Sequence, residues 1–405
     1  MSGEENVDGK LAVIGVGTTG SMILWRSSLR TDGVVGFDSA YPASDNTAVG
    51  GDSRMFRMAY KEGSQYSGLL NDSERLWKEL GALGGTRILD QSGGALTITT
   101  DDGDYARSLR DSATAAGAEF ETVPADELQR RFPQHRLLPG DMGLFDPRGG
   151  LLRTDLAVLN AVEQAKVNGA EVHQTQGIDT IIPRDGLVEI RSGEQSWTFE
   201  RVVIAAGAWS RDLLPTSYAE HVRAGRILLT WFSARDPLAF ENGPFPAFMR
   251  DSEDLHLWGA PTLDGNTVKI GGICRPDEID DLATMNRELT PAELDASHAA
   301  VAQTLPGLIP SAVRSKAYPD LYTRDAQPLI GRLPEMPSVY VATGFSGKGF
   351  KMASGVGEAV ARDLFNETPS ANFDFARPSR FVDGTILDQS WGRLTRASVP
   401  AGDAD

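Results

Sequence analysis

The chain opens with an apolar run at 10–16, a helix-length segment at 18–29 with its apolar stretch at 22–25, and a second buried run at 34–38. That order predicts strand, helix, strand. Thr154 stands where it can cap a helix running to about Asn168: Leu156, Leu159, Ala161 and Val162 recur at helical spacing, and Asn168-Gly169 ends the pattern. Segments 171–183, 187–192 and 197–205 alternate as strands do, with Asp185-Gly186 as a hairpin turn, so they predict an antiparallel meander returning to a buried strand. Residues 83–138 and 223–315 differ in character, the latter rich in aromatics, prolines and alternating runs such as 225–234 and 267–273. They read as a second domain inserted twice into the first. From about Gly384 no pattern is sustained, which predicts a loose tail.

At 405 residues the chain exceeds the size at which one core stops growing, so two domains flanking a ligand cleft are expected. A net charge of −17 repels phosphate backbones and anionic headgroups, which argues against nucleic acid or membrane as the main partner. The only cysteine, Cys274, excludes an intramolecular disulfide and a thiolate cluster and fits a reducing compartment; as a lone thiol it reads as buried and inert. The first ten residues are acidic without an apolar stretch, and runs such as 202–209 are too short to span a bilayer, so the expected location is cytoplasmic. Histidines are few and lack ligand spacing, and no catalytic metal is expected.

Gly15-Val16-Gly17-Thr18-Thr19-Gly20 falls between the first predicted strand and helix. Gly15 permits the turn, Gly17 lets a pyrophosphate reach the backbone beside Thr18 and Thr19, and Gly20 packs helix on strand, leaving the helix N-terminus to take the anion. Asp38, followed by Ser39, closes the second strand where a carboxylate can accept both ribose hydroxyls. The combination predicts a dinucleotide site and leaves FAD and NAD both open.

Three later segments bear on that choice: Gly51-Asp52-Ser53-Arg54-Met55-Phe56-Arg57, Val203-Ile204-Ala205-Ala206-Gly207-Ala208-Trp209, and Val341-Ala342-Thr343-Gly344-Phe345-Ser346-Gly347-Lys348-Gly349-Phe350-Lys351. With Phe245-Pro246-Ala247-Phe248-Met249, Lys269-Ile270-Gly271 and Asp325-Ala326-Gln327-Pro328-Leu329-Ile330-Gly331, they resemble the monomeric sarcosine oxidase and N-methyltryptophan oxidase family of FAD-dependent amine oxidoreductases, within the D-amino acid oxidase superfamily. The likeness runs from about residue 11 to 364. It implies an α/β fold: a Rossmann-like, glutathione-reductase-type FAD-binding domain (1–85, 145–222 and 318–384), a substrate domain with a mainly antiparallel sheet (86–144 and 223–317), and a C-terminal tail (385–405). It also implies oxidation of the C–N bond of an amino acid, a secondary amine, to an imine and then to aldehyde or keto acid plus amine, with dioxygen reduced to hydrogen peroxide. The expected partners are thus an amino acid with a carboxylate and dioxygen, in a monomer or small homo-oligomer.

Residue by residue, the resemblance places Gly51, Ser53, Arg54, Gly207, Trp209, Gly344, Gly347, Lys348, Gly349 and Lys351 around FAD. Independently, amides near Gly347 and Gly349, followed by a helix over about 352–365, would present a positive end to a ring that gains negative charge on reduction; a plain tight loop is the other reading. Lys269, on a predicted strand, matches the lysine that promotes reaction of reduced flavin with dioxygen, although from the residues alone it reads as snorkelling to solvent. Arg57 and Lys351 match a carboxylate clamp, a sensible pairing of a fork and a point charge; either can also be a surface ion-pair partner. Tyr322, Trp258 and Met249 match pocket positions and read equally as core.

The chain departs from the family at four positions. Asp320 stands where the family carries its flavin-linking cysteine, so the resemblance predicts non-covalent FAD. Ile273 replaces a histidine, Trp258 a tyrosine, and Lys348 a frequent histidine; the added cation points to a dicarboxylic substrate. Two alternatives follow: a dehydrogenase passing electrons to a quinone or carrier, and a catalytically silent flavin-binding subunit.

Overall fold

The computed structural model describes residues 7–58, 60–100, 103–252, 255–368, 371–386, 391 and 394. Strand Gly9–Ile14 lies at the centre of an eight-stranded sheet, pairing in parallel with Val34–Phe37 on one side and Gln195–Ile204 on the other. Glu171–His173 extends this parallel core beyond Val34–Phe37, and Met336–Thr343 extends it beyond Gln195–Ile204. Leu11, Ala12 and Val13 are fully buried because both faces are covered. Helices Thr18–Ser28, Thr154–Val167 and Ala353–Leu364 cover one face, and the antiparallel strands Thr180–Pro183 and Val188–Ser192, continuing into Gln195–Ile204, belong to the core on the other.

A nine-stranded sheet runs in the order Asp277–Ile279, Val222–Ala234, Thr267–Gly271, Leu255–Ala260, Ala247–Ser252, Ala95–Thr100, Asp141–Asp146, Glu121–Val123, with Leu308–Thr323 also paired along Val222–Ala234. Every pairing is antiparallel except Ala247–Ser252 with Ala95–Thr100. The expected boundaries at 144/145 and 317/318 fall inside strands Asp141–Asp146 and Leu308–Thr323. A small third sheet joins Ser53–Phe56, Gly150–Arg153 and Leu89–Asp90.

Several local expectations need correction. The 171–183 segment is two strands in different places, because Thr175 adopts a left-handed φ of +58° and breaks the run. Thr154 is the first helical residue rather than its cap, and no side chain caps that helix. Leu159 is exposed; the buried stripe is Ala157, Val158, Ala161, Val162 and Ala165. Most of the expected loose tail, 387–390, 392–393 and 395–405, lies outside the described residues, but Trp391 is held, its amide donating to Arg324 O and its ring lying 4.3 Å from the Arg223 guanidinium.

Candidate active site

A cavity of about 940 Å³ runs from the Gly15–Thr19 turn to the face of the nine-stranded sheet that carries Met249 and Trp258. At the turn, Gly15 has φ +87°, and a Cβ there would lie 2.5 Å from Ala206 Cα. A Cβ on Gly20 would meet Gly15 O at 1.7 Å, so this glycine lets the first helix sit against the strand rather than lining the cavity. Gly17 is different: its missing Cβ faces open space, with one neighbour at 3.8 Å. It also precedes a helix with no side-chain cap, and Thr18 Oγ1 is buried without a partner. This is a cradle with unspent donors, suited to a pyrophosphate. Asp38 accepts the Val16 and Ala40 amides at 2.8 and 2.9 Å, one on each carboxylate oxygen, which fixes its orientation while leaving further lone pairs. Ser39 and Thr19 line the same end.

Along the middle run Arg54, Gly207, Trp209 and the loop Gly344 to Gly349. The Arg54 guanidinium donates to Ser53 O, Ala48 O and Gly50 O at 2.7 to 2.9 Å, and burial pulls its pKa down. Gly344 and Gly347 have φ of +67° and +81°, which lets the loop turn before helix Ala353–Leu364. The Gly347 amide donates to Asp320 Oδ2 at 2.7 Å.

The far end collects cations. Arg57 is buried; its Nη1 donates to Tyr105 Oη at 2.6 Å and lies 3.7 Å from Met249 Sδ, while Nε has no partner. Burial opposes its charge, but the Tyr105 hydroxyl and Glu62 outweigh that and raise its pKa. Lys351 Nζ lies 4.7 Å from the Tyr60 ring centre and donates to Lys348 O at 3.3 Å. Burial, reinforced by Arg57, pushes its pKa down to about 7. Lys348 Nζ donates to Ala326 O at 2.7 Å, and burial lowers its pKa also. Lys61 sits 4.3 Å from the Tyr105 ring centre. Tyr322, Trp258 and Met249 line this end; Gly271 and Gly272 make room for the Trp258 ring, which a Cβ on either would meet at 2.6 to 2.7 Å. Such a cluster, with the phenols of Tyr60, Tyr105 and Tyr322 and the Glu62 carboxylate beside it, is suited to receive an anion.

Besides Gly20, three of the expected site residues do not line this cavity. Lys269, Gly51 and Ser53 line an adjacent pocket of about 430 Å³ instead. The reason is satisfaction of a buried ammonium: Lys269 Nζ donates to Gly51 O at 2.6 Å and to Ser53 O, which holds it against the 51–53 backbone, 5.9 Å from the Trp258 ring centre. Burial drives its pKa well below 10.5. Sequence reasoning passed over Tyr60, Glu62 and Tyr105, which line the cavity beside Arg57 and Lys351 or brace Arg57. Tyr105 comes from helix Asp104–Ala116, 48 positions after Arg57, and only packing brings it there. Cys274 also lines the main cavity. Among the described residues no three His, Cys, Asp or Glu side chains converge as metal ligands, and no helix is long and apolar enough to cross a membrane.

The family model for FAD dependent oxidoreductases matches residues 10–362. The monomeric sarcosine oxidase of Streptomyces avermitilis is 31% identical over 361 residues, covering 86% of this chain and 91% of that protein. The N-methyl-L-tryptophan oxidase of Yersinia pestis is 27% identical over 372 residues, covering 91% and 98%. Among solved structures, NikD, an amino acid oxidase essential for nikkomycin biosynthesis, superposes with a TM-score of 0.80 at 17% identity, over 92% of this chain and 98% of that one, a likeness of fold.

Proposed function

The chain belongs to the FAD dependent oxidoreductase family, and from that membership we propose that it oxidises the C–N bond of an N-substituted amino acid, a secondary amine, with dioxygen as acceptor and hydrogen peroxide as product. The imine formed is hydrolysed to aldehyde or keto acid plus amine. The observation that carries this reading is the pairing of buried Arg57 with half-buried Lys351 at the end of a cavity whose other end is a dinucleotide cradle. The two curated relatives are named for sarcosine and N-methyl-L-tryptophan, both N-methylated amino acids with a free carboxylate.

FAD, when bound, supplies the two-electron acceptor for the hydride leaving the substrate α-carbon. Gly15, Gly17, Thr18, Thr19, Asp38 and Ser39 would hold its adenosine and pyrophosphate portion, and Arg54, Gly207, Trp209 and the 344–349 loop its ring portion, in a domain built on the eight-stranded sheet. The link is non-covalent, since Asp320 has no thiol. Arg57 and Lys351 grip the substrate carboxylate and fix the α-carbon, and orientation of this kind can supply about 7–11 kcal/mol of barrier reduction. Tyr322, Trp258 and Met249 wall the amine side and exclude water. Lys348, within electrostatic reach of Lys61 on the same cavity wall, adds positive charge beyond what one carboxylate needs, which favours a dicarboxylic substrate.

A peroxide-coupled screen of N-alkyl amino acids tests the proposal, paired with anaerobic bleaching of the bound flavin. Turnover of a secondary amine, with N-methylaspartate or iminodiacetate preferred over sarcosine, is expected. Strict preference for monocarboxylates would remove the dicarboxylic assignment, and no bleaching by any amine would remove the activity.

A further inference from the structure

Asp320 is the one carboxylate in contact with the 344–349 loop through a backbone hydrogen bond, among the bonds resolved for the described residues. It stands on strand Leu308–Thr323, faces the main cavity, and accepts its two bonds from backbone amides: Leu321 N to Oδ1 at 2.8 Å and Gly347 N to Oδ2 at 2.7 Å. Arg54 is close enough to act on it electrostatically, but gives its own hydrogen bonds to three backbone carbonyls. The consequence is local and electrostatic. A loop of glycine amides leading into a helix N-terminus offers partial positive charge to whatever lies against it. Here one of those amides is spent on the half-buried Asp320 carboxylate, whose pKa burial raises while the Leu321 and Gly347 amides and Arg54 hold it down, and its negative charge opposes the rest of the loop's field.

We propose that Asp320 sets the redox potential of the bound FAD, as a fixed negative charge that restrains the oxidising pull of the 344–349 loop. This rests on the FAD reading above. A ring that gains negative charge on reduction is harder to reduce beside a carboxylate, and losing the Gly347 donor adds to the effect. Asp320 is thus a positioning and tuning residue that touches the cofactor's surroundings rather than the substrate.

The test is the midpoint potential of the yellow holoenzyme, measured under nitrogen by equilibration with a reference dye. Asp320→Asn removes the charge and keeps one acceptor for the amides. It is expected to shift the oxidised-to-reduced equilibrium at least tenfold toward the reduced form, a rise of about 30 mV for a two-electron couple. Asp320→Glu, which keeps the charge, is expected to stay within threefold of the parent. If the Asn variant does not retain flavin, Asp320→Ser is measured in its place with the same expectation. An unchanged or lowered potential in the neutral variant overturns the inference, as does an equal rise in the Glu variant. A colourless parent protein that takes up no FAD defeats the underlying reading instead, and the two failures are distinct.

Discussion

Lys351 holds an ammonium in a place that works against its charge. Burial and the neighbouring Arg57 bring its pKa down to about 7, so in the free protein Lys351 is charged below that pH and loses its charge as pH rises through it; the proposed clamp is then complete only on the acid side. A bound carboxylate favours the charged form. The affinity for an amine-free carboxylate, such as an alkoxyacetate, is therefore expected to be flat below pH 7 and to weaken by up to about tenfold per pH unit above it, read from perturbation of the flavin spectrum. Lys351→Met should weaken binding at pH 6 and flatten the profile; an unaltered profile would show that another group titrates. Lys269 poses a different question, since it is held on Gly51 O and Ser53 O outside the main cavity. If it serves the dioxygen half-reaction as the resemblance implies, Lys269→Met will slow reoxidation of reduced flavin by about 10²-fold or more and leave anaerobic bleaching within a few-fold. Stopped-flow measurement of both halves decides, and equal losses in each reject the role. That the residue type was legible in the sequence but its orientation was not has a simple cause. A strand position fixes which face a side chain leaves from, whereas the carbonyls that satisfy its charge belong to a turn and the start of a strand more than two hundred residues away.

At the scale of elements, the first helix, Thr18–Ser28, is held to Ala353–Leu364 by an ionic knot. Glu358, 2% exposed, accepts Arg26 Nε at 2.6 Å, Arg30 Nη2 at 2.8 Å and Arg362 Nε at 2.7 Å. Burial alone would raise its carboxyl, but the arginines outweigh it and bring the pKa from 4.5 to about 2. A pKa depressed by folding gives stability that is fully present above the unfolded value and lost as protons return: between about pH 4.5 and pH 2 here. Glu358→Gln takes the ion-pair partner from Arg362 and leaves Arg26 and Arg30 with Glu79 and Glu367 alone; it is expected to cost about 3 kcal/mol at pH 7, measured by urea unfolding, and to lose this part of the acid dependence. The adjacent Gly357 shows how close the helices run, since a Cβ there would lie 2.6 Å from Met22 Cβ. The opening strand–helix–strand was readable because each signal in it is local: apolar period, glycine turn, closing acid. The 171–183 segment was misread for the same reason, as its alternation continues across the Thr175 break and only the parallel pairing of Glu171–His173 with Val34–Phe37 separates the halves.

For the whole molecule, the manner in which FAD is retained depends on distances that sequence separation does not report. Cys274 lies 46 positions before Asp320 in the chain, far enough that spacing gave no reason to connect them. In the folded protein both line the same cavity, because strand Val222–Ala234 pairs with Thr267–Gly271 on one side and Leu308–Thr323 on the other. A thiol is therefore present near the cofactor's path. Its chemistry argues against a bond: burial, then Glu293 and Asp277, raise its pKa, and a protonated thiol is a poor nucleophile. Its side chain instead packs in an apolar cluster with Leu228, Leu289 and Ala317. Acid precipitation of the purified yellow protein is thus expected to leave flavin in the supernatant, identically for the parent and for Cys274→Ser. Flavin that stays with the parent pellet but leaves with the Cys274→Ser supernatant would identify Cys274 as the attachment point, and flavin retained in both would implicate a different side chain of the cavity wall. Either result would reverse the non-covalent assignment while leaving the cradle at Gly15 to Thr19 as its anchor, since pyrophosphate binding there needs only the turn amides and the helix end.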